Sequence, residues 1–258
     1  MSPTPGALVL ANGLFVGTVA CLEGGYRIGR RASARHPDFA HEGVGAIEAA
    51  IFALFGLLLG FSFAGATSRL DVRRHQIVQE ANAIATAYLR LDLLPATEQL
   101  DLRHLFRQYL DTRLNMYRRL PDLAAADQEL ARAQRIQQEI WSGAVAGSHA
   151  DPTQNAVRML LPALNEMMDL TTARSIALRT SLPTLILALL VSLALLSGLV
   201  AGYAMAKRQR RSGLHTLLYA GIVAVTVYAV LDLDNPRSGL IRLDAADNAL
   251  VKLRNSIP

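Results

Sequence analysis

The side chains able to do chemistry fall along one stretch, Glu48, Arg69, Asp71, Arg73, Arg74, Glu80 and Asn82, with an acidic pair, Asp232 and Asp234, near the C-terminus. They are not arranged as a catalytic set. No Ser/His/Asp group, Gly-rich phosphate loop or zinc spacing stands out, and the histidines at 75, 104, 149 and 215 lie in unrelated contexts. His36 and His41 have no carboxylate or thiolate at ligand spacing beside them, so they read as a solvated loop rather than a metal site. The single cysteine, Cys21, excludes an intrachain disulfide, and the Met-Ser-Pro-Thr-Pro start lacks the positive region of a cleaved leader. No enzyme, metal or cofactor is therefore expected. What remains is ion handling and helix pairing: Glu80 and Asn82 read as a functional polar pair or as bonds between neighbouring helices. Glu48 reads as an interfacial residue or as an intramembrane carboxylate worth keeping as a site candidate.

These residues need elements to hold them, and composition says which. At 52% hydrophobic residues and a mean hydropathy of +0.25, the chain is too apolar for an ordinary soluble domain, yet its middle third is strongly charged. That combination indicates membrane helices enclosing a soluble insert. The formal charge of +5 comes mainly from arginine, Lys207 and Lys252 being the only lysines, and no aromatic residues interleave with the basic ones. Nucleic-acid binding is not expected.

The apolar run Val44 to Ala66 is long enough, at ~1.5 Å per residue, to cross a ~30 Å hydrocarbon core. It passes without proline into a polar helical pattern, so one helix is expected both to span the membrane and to begin the soluble part. Gly56, Gly60 and Ala64 recur every fourth residue on it, and Ala194, Gly198 and Gly202 do the same on a second apolar run, Ser181 to Ala206. Small residues at this spacing let helices approach closely, so the two runs are expected to contact each other or their own copies. Gly6 to Leu22, weakened by Asn12 and several glycines, and Leu214 to Leu231 complete a set of four spans. The basic Tyr26 to Arg31 is expected to lead into a polar loop reaching Gly43.

Beyond Ala66 the apolar positions Ile77, Ala81, Ile84, Tyr88 and Leu91 follow a heptad-like spacing, with Arg73, Arg74, Gln79 and Arg90 off the stripe. Pro95 ends that helix. Thr97 to Leu120, Asp122 to Ser142 and a segment from Asp151-Pro152 to Arg179 follow, with Gly143 to Ser148 as a loop. Trp141 and Val157 are assigned to the apolar faces. The expectation is an all-α integral membrane protein with four transmembrane helices and a four-helix bundle inserted between spans two and three. Its segments are 1–66, 67–180, 181–232 and 233–258, the last a turn with a short amphipathic tail.

Arginine and lysine in the short loops set orientation. Arg27, Arg30, Arg31 and Arg35, and Lys207, Arg208, Arg210 and Arg211, place both loops in the cytoplasm and the bundle outside, in a bacterial inner membrane.

The run Gln79-Glu80-Ala81-Asn82 with Arg69 and Asp71, the stretch Leu105 to Arg113 (LFRQYLDTR), Asn165 with Arg174, and the turn Leu231 to Leu240 (LDLDNPRSGL) resemble the bacterial bestrophin-like membrane family of unknown function. The resemblance covers nearly the whole chain. That family is similar to bestrophins, so it implies a homo-oligomer, a pentamer by analogy, whose second span lines a passage for inorganic anions. It also implies that the helical insert is cytoplasmic, opposite to the charge count. Under this reading Phe55 and Phe61 form the constriction, and Arg69, Arg73 and Arg74 repeated around a ring attract anions. The alternative is a membrane-anchored sensor or scaffold whose bundle binds a ligand or partner.

Overall fold

The computed structural model describes residues 5–35, 44–120, 122–149, 154–207, 213–235 and 244–257. Its elements are α1 (Pro5–Arg35), α2 (Val44–Leu89), α3 (Ala96–Arg119), α4 (Leu123–His149), α5 (Leu161–Arg179), α6 (Thr184–Lys207), α7 (Gly213–Asp234) and α8 (Asp244–Ser256). A 3₁₀ turn, Arg90–Leu93, closes α2, and a π-turn, Ala156–Leu160, opens α5. Among the described residues four helical stretches are long and apolar enough to cross a membrane, and this is a multi-pass membrane protein. Internal contacts divide the chain into two units, Met1–Leu70 with Ser181–Ile241 and Asp71–Thr180 with Arg242–Pro258.

The first unit holds the apolar helices. Leu14, Phe55, Leu190, Ala194, Val223 and Val227 share its core, drawing on α1, α2, α6 and α7. The expected contact between the small faces of the second and third spans is not what forms. Gly198 and Gly202 face α1 instead: a methyl group at Gly202 would lie 1.9 Å from the Leu22 carbonyl oxygen, and one at Gly198 3.2 Å from Thr18. Gly17, Gly25 and Gly29 supply the matching face, meeting Leu195, Leu199 and Ala206 in turn, so α1 and α6 run parallel. Of the glycines read as weakening the first span, Gly17 is the one that lets it pack, since a methyl group at Gly6 or Gly13 would meet nothing. The contacts of Gly25 and Gly29 lie where α1 continues as helix through Tyr26 to Arg35, a stretch where a basic loop was expected. His36, His41 and the Lys207 to Arg211 hairpin, apart from the end of α6, lie outside the described residues.

The second unit holds the rest of α2 with α3, α4, α5 and α8. The heptad-like stripe is buried as its spacing requires, Ile77, Ala81, Ile84, Tyr88 and Leu91 being no more than 7% exposed. Leu102, Phe106, Ile136, Ile140, Leu160 and Leu164 face it. Leu94 is extended because it precedes Pro95, which separates α2 from α3. The Asp122 carboxylate accepts the Ala125 N–H at 3.1 Å and caps α4. The helix starting at Asp151-Pro152 has its start outside the described residues.

One expectation fails here. Gly143 to Ser148 is not a loop but the last turns of α4, because Gly143 and Gly147 are contact positions: a methyl group at Gly143 would lie 2.9 Å from Leu102. The C-terminal tail forms α8 and buries Leu250 and Ile257 in the core of this unit, with Arg254 paired to Asp111 at 2.6 Å. Trp141 and Val157, assigned to apolar faces, are 36% and 42% exposed.

Candidate functional site

The second span has one packed side and one open side. Phe55 is 7% exposed and belongs to the core, whereas Phe61 is 66% exposed. Gly56, Gly60 and Ala64 are exposed with Phe61, and beyond the local backbone of α2 no described atom lies within 4 Å of a methyl group placed at Gly56 or Gly60. The candidate packing residues thus separate. Gly198 and Gly202 join helices within the chain, while Gly56, Gly60, Phe61 and Ala64 present a face the described residues leave uncovered. Phe55 is removed from the constriction by its burial. Glu48, near the start of the same helix, is half-buried in the wall of a cavity of about 160 Å³.

The basic residues beyond the span are mostly committed to structural contacts. Arg69 Nε donates to the Asp234 carboxylate at 2.6 Å, and the Leu182 N–H donates to the other oxygen of the same carboxylate at 2.6 Å. Asp232 accepts from the Tyr228 hydroxyl at 3.1 Å. Both aspartates occupy the last turn of α7, where the helix dipole disfavours negative charge, so such donors are what hold them there. Arg73 is buried and donates to the Ala177 and Thr180 carbonyls at 3.2 and 2.6 Å, satisfying the open end of α5. Only Arg74 and Asp71 stay exposed, 3.6 Å apart. The expected ring of three free arginines is therefore reduced to one, itself beside a carboxylate.

The strongest polar cluster lies in the second unit. Glu80, fully buried, accepts from Arg113 Nε at 2.6 Å, from Arg174 Nη1, and from the Tyr117 hydroxyl at 3.2 Å. Both guanidiniums stack on the Tyr117 ring, 5.0 Å from its centroid for Arg113 and 3.7 Å for Arg174. Burial works to raise the Glu80 carboxyl, but the two arginines outweigh it and hold the group below the ordinary carboxylate value. Burial likewise opposes the charge on Arg113, and Glu80 more than restores it. Beside this cluster, the Tyr109 hydroxyl shares a 2.6 Å hydrogen bond with Thr171 and accepts from Gln137 at 3.1 Å. Chiefly through burial, the Tyr109 hydroxyl is pushed up to about 12.

Of the two readings of Glu80, the bond between neighbouring helices is the one present, joining α2 to α3 and α5. Asn82 takes no part: two residues along a helix it points away from Glu80, and it is exposed. Arg113 and Arg174 lie in the motifs quoted for the resemblance, but nothing in their spacing reveals that both converge on Glu80.

No curated protein matches the chain. Among solved structures it is similar to a bacterial Bestrophin homolog from Klebsiella pneumoniae, seen in several forms. One point-mutant form of that homolog gives 13% identity and a TM-score of 0.68, covering 98% of each chain. A second point-mutant form gives 14% identity and a TM-score of 0.66 over 96% of this chain and 98% of that one. The form phased on zinc gives 14% identity and 0.62 over 95% and 98%. At such identities the likeness shows the fold. The Bestrophin-like domain matches residues 16–247, from the middle of α1 into α8. The chain belongs to the Bestrophin-like domain family.

Proposed function

We propose that this protein is a homo-oligomeric channel of a bacterial inner membrane, in which copies of α2 surround a passage for inorganic ions. One observation carries the reading: on the second span Gly56, Gly60, Phe61 and Ala64 form an apolar face that no other described helix covers. Such a face either meets lipid or lines and packs an assembly, and the resemblance to bestrophins favours the assembly. A passage walled by it is uncharged and closes by dewetting at a ring of Phe61. The resemblance implies a pentamer and points to anions. Arg69 and Arg73 add nothing to that preference, because Asp234 and the end of α5 already engage them. The test is current from purified protein in planar bilayers, with oligomer size measured on the same preparation.

The sensor or scaffold reading has one observation of its own, a groove of about 780 Å³ on the second unit lined by Gln134, Gln138, Trp141, Ser142 and Asn165 among others. Amide groups beside an exposed indole suit a neutral polar ligand. Protein that forms the oligomer yet passes no ions, while binding such a ligand, would transfer the function to this groove.

A further inference from the structure

Glu48 has no polar partner among the described residues, although it is half-buried in a cavity whose other walls are Gly25, Ile28, Ile47, Leu199, Val200 and Tyr203. A carboxylate beside hydrocarbon is costly to leave uncompensated, so its place in an apolar wall implies a cation facing it. The described residues supply none there. The walls Ile28 and Ile47 are 53% and 64% exposed at the end of segments that span the bilayer, so the cavity opens toward lipid. Arg31 is exposed one turn beyond Ile28 and on the same face of α1. A carboxylate, an apolar crevice and a guanidinium thus follow one another at one end of the first unit.

We infer that this cavity binds a zwitterionic phospholipid with a primary amine headgroup. The ammonium donates to Glu48, the phosphate accepts from Arg31, and the first methylenes of an acyl chain lie against Ile28, Ile47 and Leu199. Each charge on the lipid meets its opposite, and each apolar wall meets hydrocarbon. A choline headgroup carries the positive charge without an N–H to donate, and a glycerol headgroup offers no cation, so both bind more weakly.

Native mass spectrometry of the intact protein, titrated with phosphatidylethanolamine, phosphatidylcholine or phosphatidylglycerol of identical acyl chains, tests this without any current being measured. Wild type holds one phosphatidylethanolamine per chain with a preference of about fivefold or more over the other two, as a charge-assisted hydrogen bond gives. Glu48→Gln removes that preference, and Arg31→Gln weakens all three lipids. Equal retention of the three by wild type, or an unchanged preference in Glu48→Gln, overturns the assignment. Should Glu48→Gln not fold, Leu199→Trp fills the cavity with the carboxylate in place, and survival of the phosphatidylethanolamine adduct then overturns it. So does an Ile47→Cys disulfide linking two copies in lipid nanodiscs, which would place a neighbouring subunit in the cavity.

Discussion

Gly25 and Gly202 lock α1 to α6 by reciprocal backbone contact: a methyl group at Gly25 would lie 1.9 Å from the Leu199 carbonyl oxygen, and one at Gly202 1.9 Å from that of Leu22. Neither position has a flexible side chain that can yield. Gly25→Val and Gly202→Val should therefore separate the helices and lower stability by at least the ~1–3 kcal/mol of ordinary overpacking, read as thermal unfolding in detergent. Gly60→Leu, with open space around it, should leave the chain's own stability unchanged and act only on the oligomer or its conductance. Equal unfolding temperatures for Gly202→Val and wild type would contradict the crossing.

Glu80 is the carboxylate that two buried guanidiniums share, and removing its charge takes that counter-ion from both. Glu80→Gln should cost about 3–5 kcal/mol, whereas Asn82→Ala should change stability by no more than about 0.5 kcal/mol. Chemical unfolding of the two variants side by side measures the difference. A similar, small effect for both would show that the cluster is not a tie between α2, α3 and α5.

The same cluster sets a pH dependence. The folded Glu80 carboxyl lies below its ordinary value near 4.5, so its contribution is complete above that value and is lost as pH falls through the lower folded one. Tyr109 is displaced the other way, from 10.0 up to about 12, so its contribution is complete below 10 and is lost as pH rises toward 12. Unfolding temperatures should fall at both limits. The acid limb should be shallower in Glu80→Gln and the alkaline limb shallower in Tyr109→Phe.

How much of this was legible varies with the kind of signal. The long α2 was, because an apolar run passing into a heptad-like spacing without proline leaves a continuous helix as the simplest solution. The buried stripe from Ile77 to Leu91 followed from the same spacing. Glycine misled twice, at Gly17 and Gly143, because a residue that frees the backbone in loops also lets two helices touch, and only the partner distinguishes the roles. Arg69, Arg73 and Arg113 look alike in sequence. Their differing fates depend on Asp234, the end of α5 and Glu80, partners too distant along the chain for periodicity to reveal.

The Arg69 and Asp234 pair is open to a charge exchange. Arg69→Glu places two carboxylates within hydrogen-bonding reach and should destabilise the chain by about 1.5–3 kcal/mol. Adding Asp234→Arg should restore most of the loss. Failure of the double variant to recover any stability would mean that the Leu182 N–H, not Arg69, is the partner that matters.

The parallel packing of α1 on α6 brings Arg35 and Lys207 to the same end of the first unit, so the charge rule predicts one orientation for both. With Cys21 replaced by serine, Ala34→Cys should react with impermeant thiol reagents only in opened cells, and Ser142→Cys should react in cells whose outer membrane alone is permeabilised. Both positions are exposed. The opposite pattern would place the second unit in the cytoplasm, as in bestrophins.

Single-channel recording in planar bilayers under a chloride gradient tests conduction through α2 most directly. Wild type should conduct, and Phe61→Ala, which removes an exposed ring from the proposed constriction without disturbing the core that holds Phe55, should raise the conductance. Silence from both proteins, with the oligomer shown to be intact, would contradict the channel.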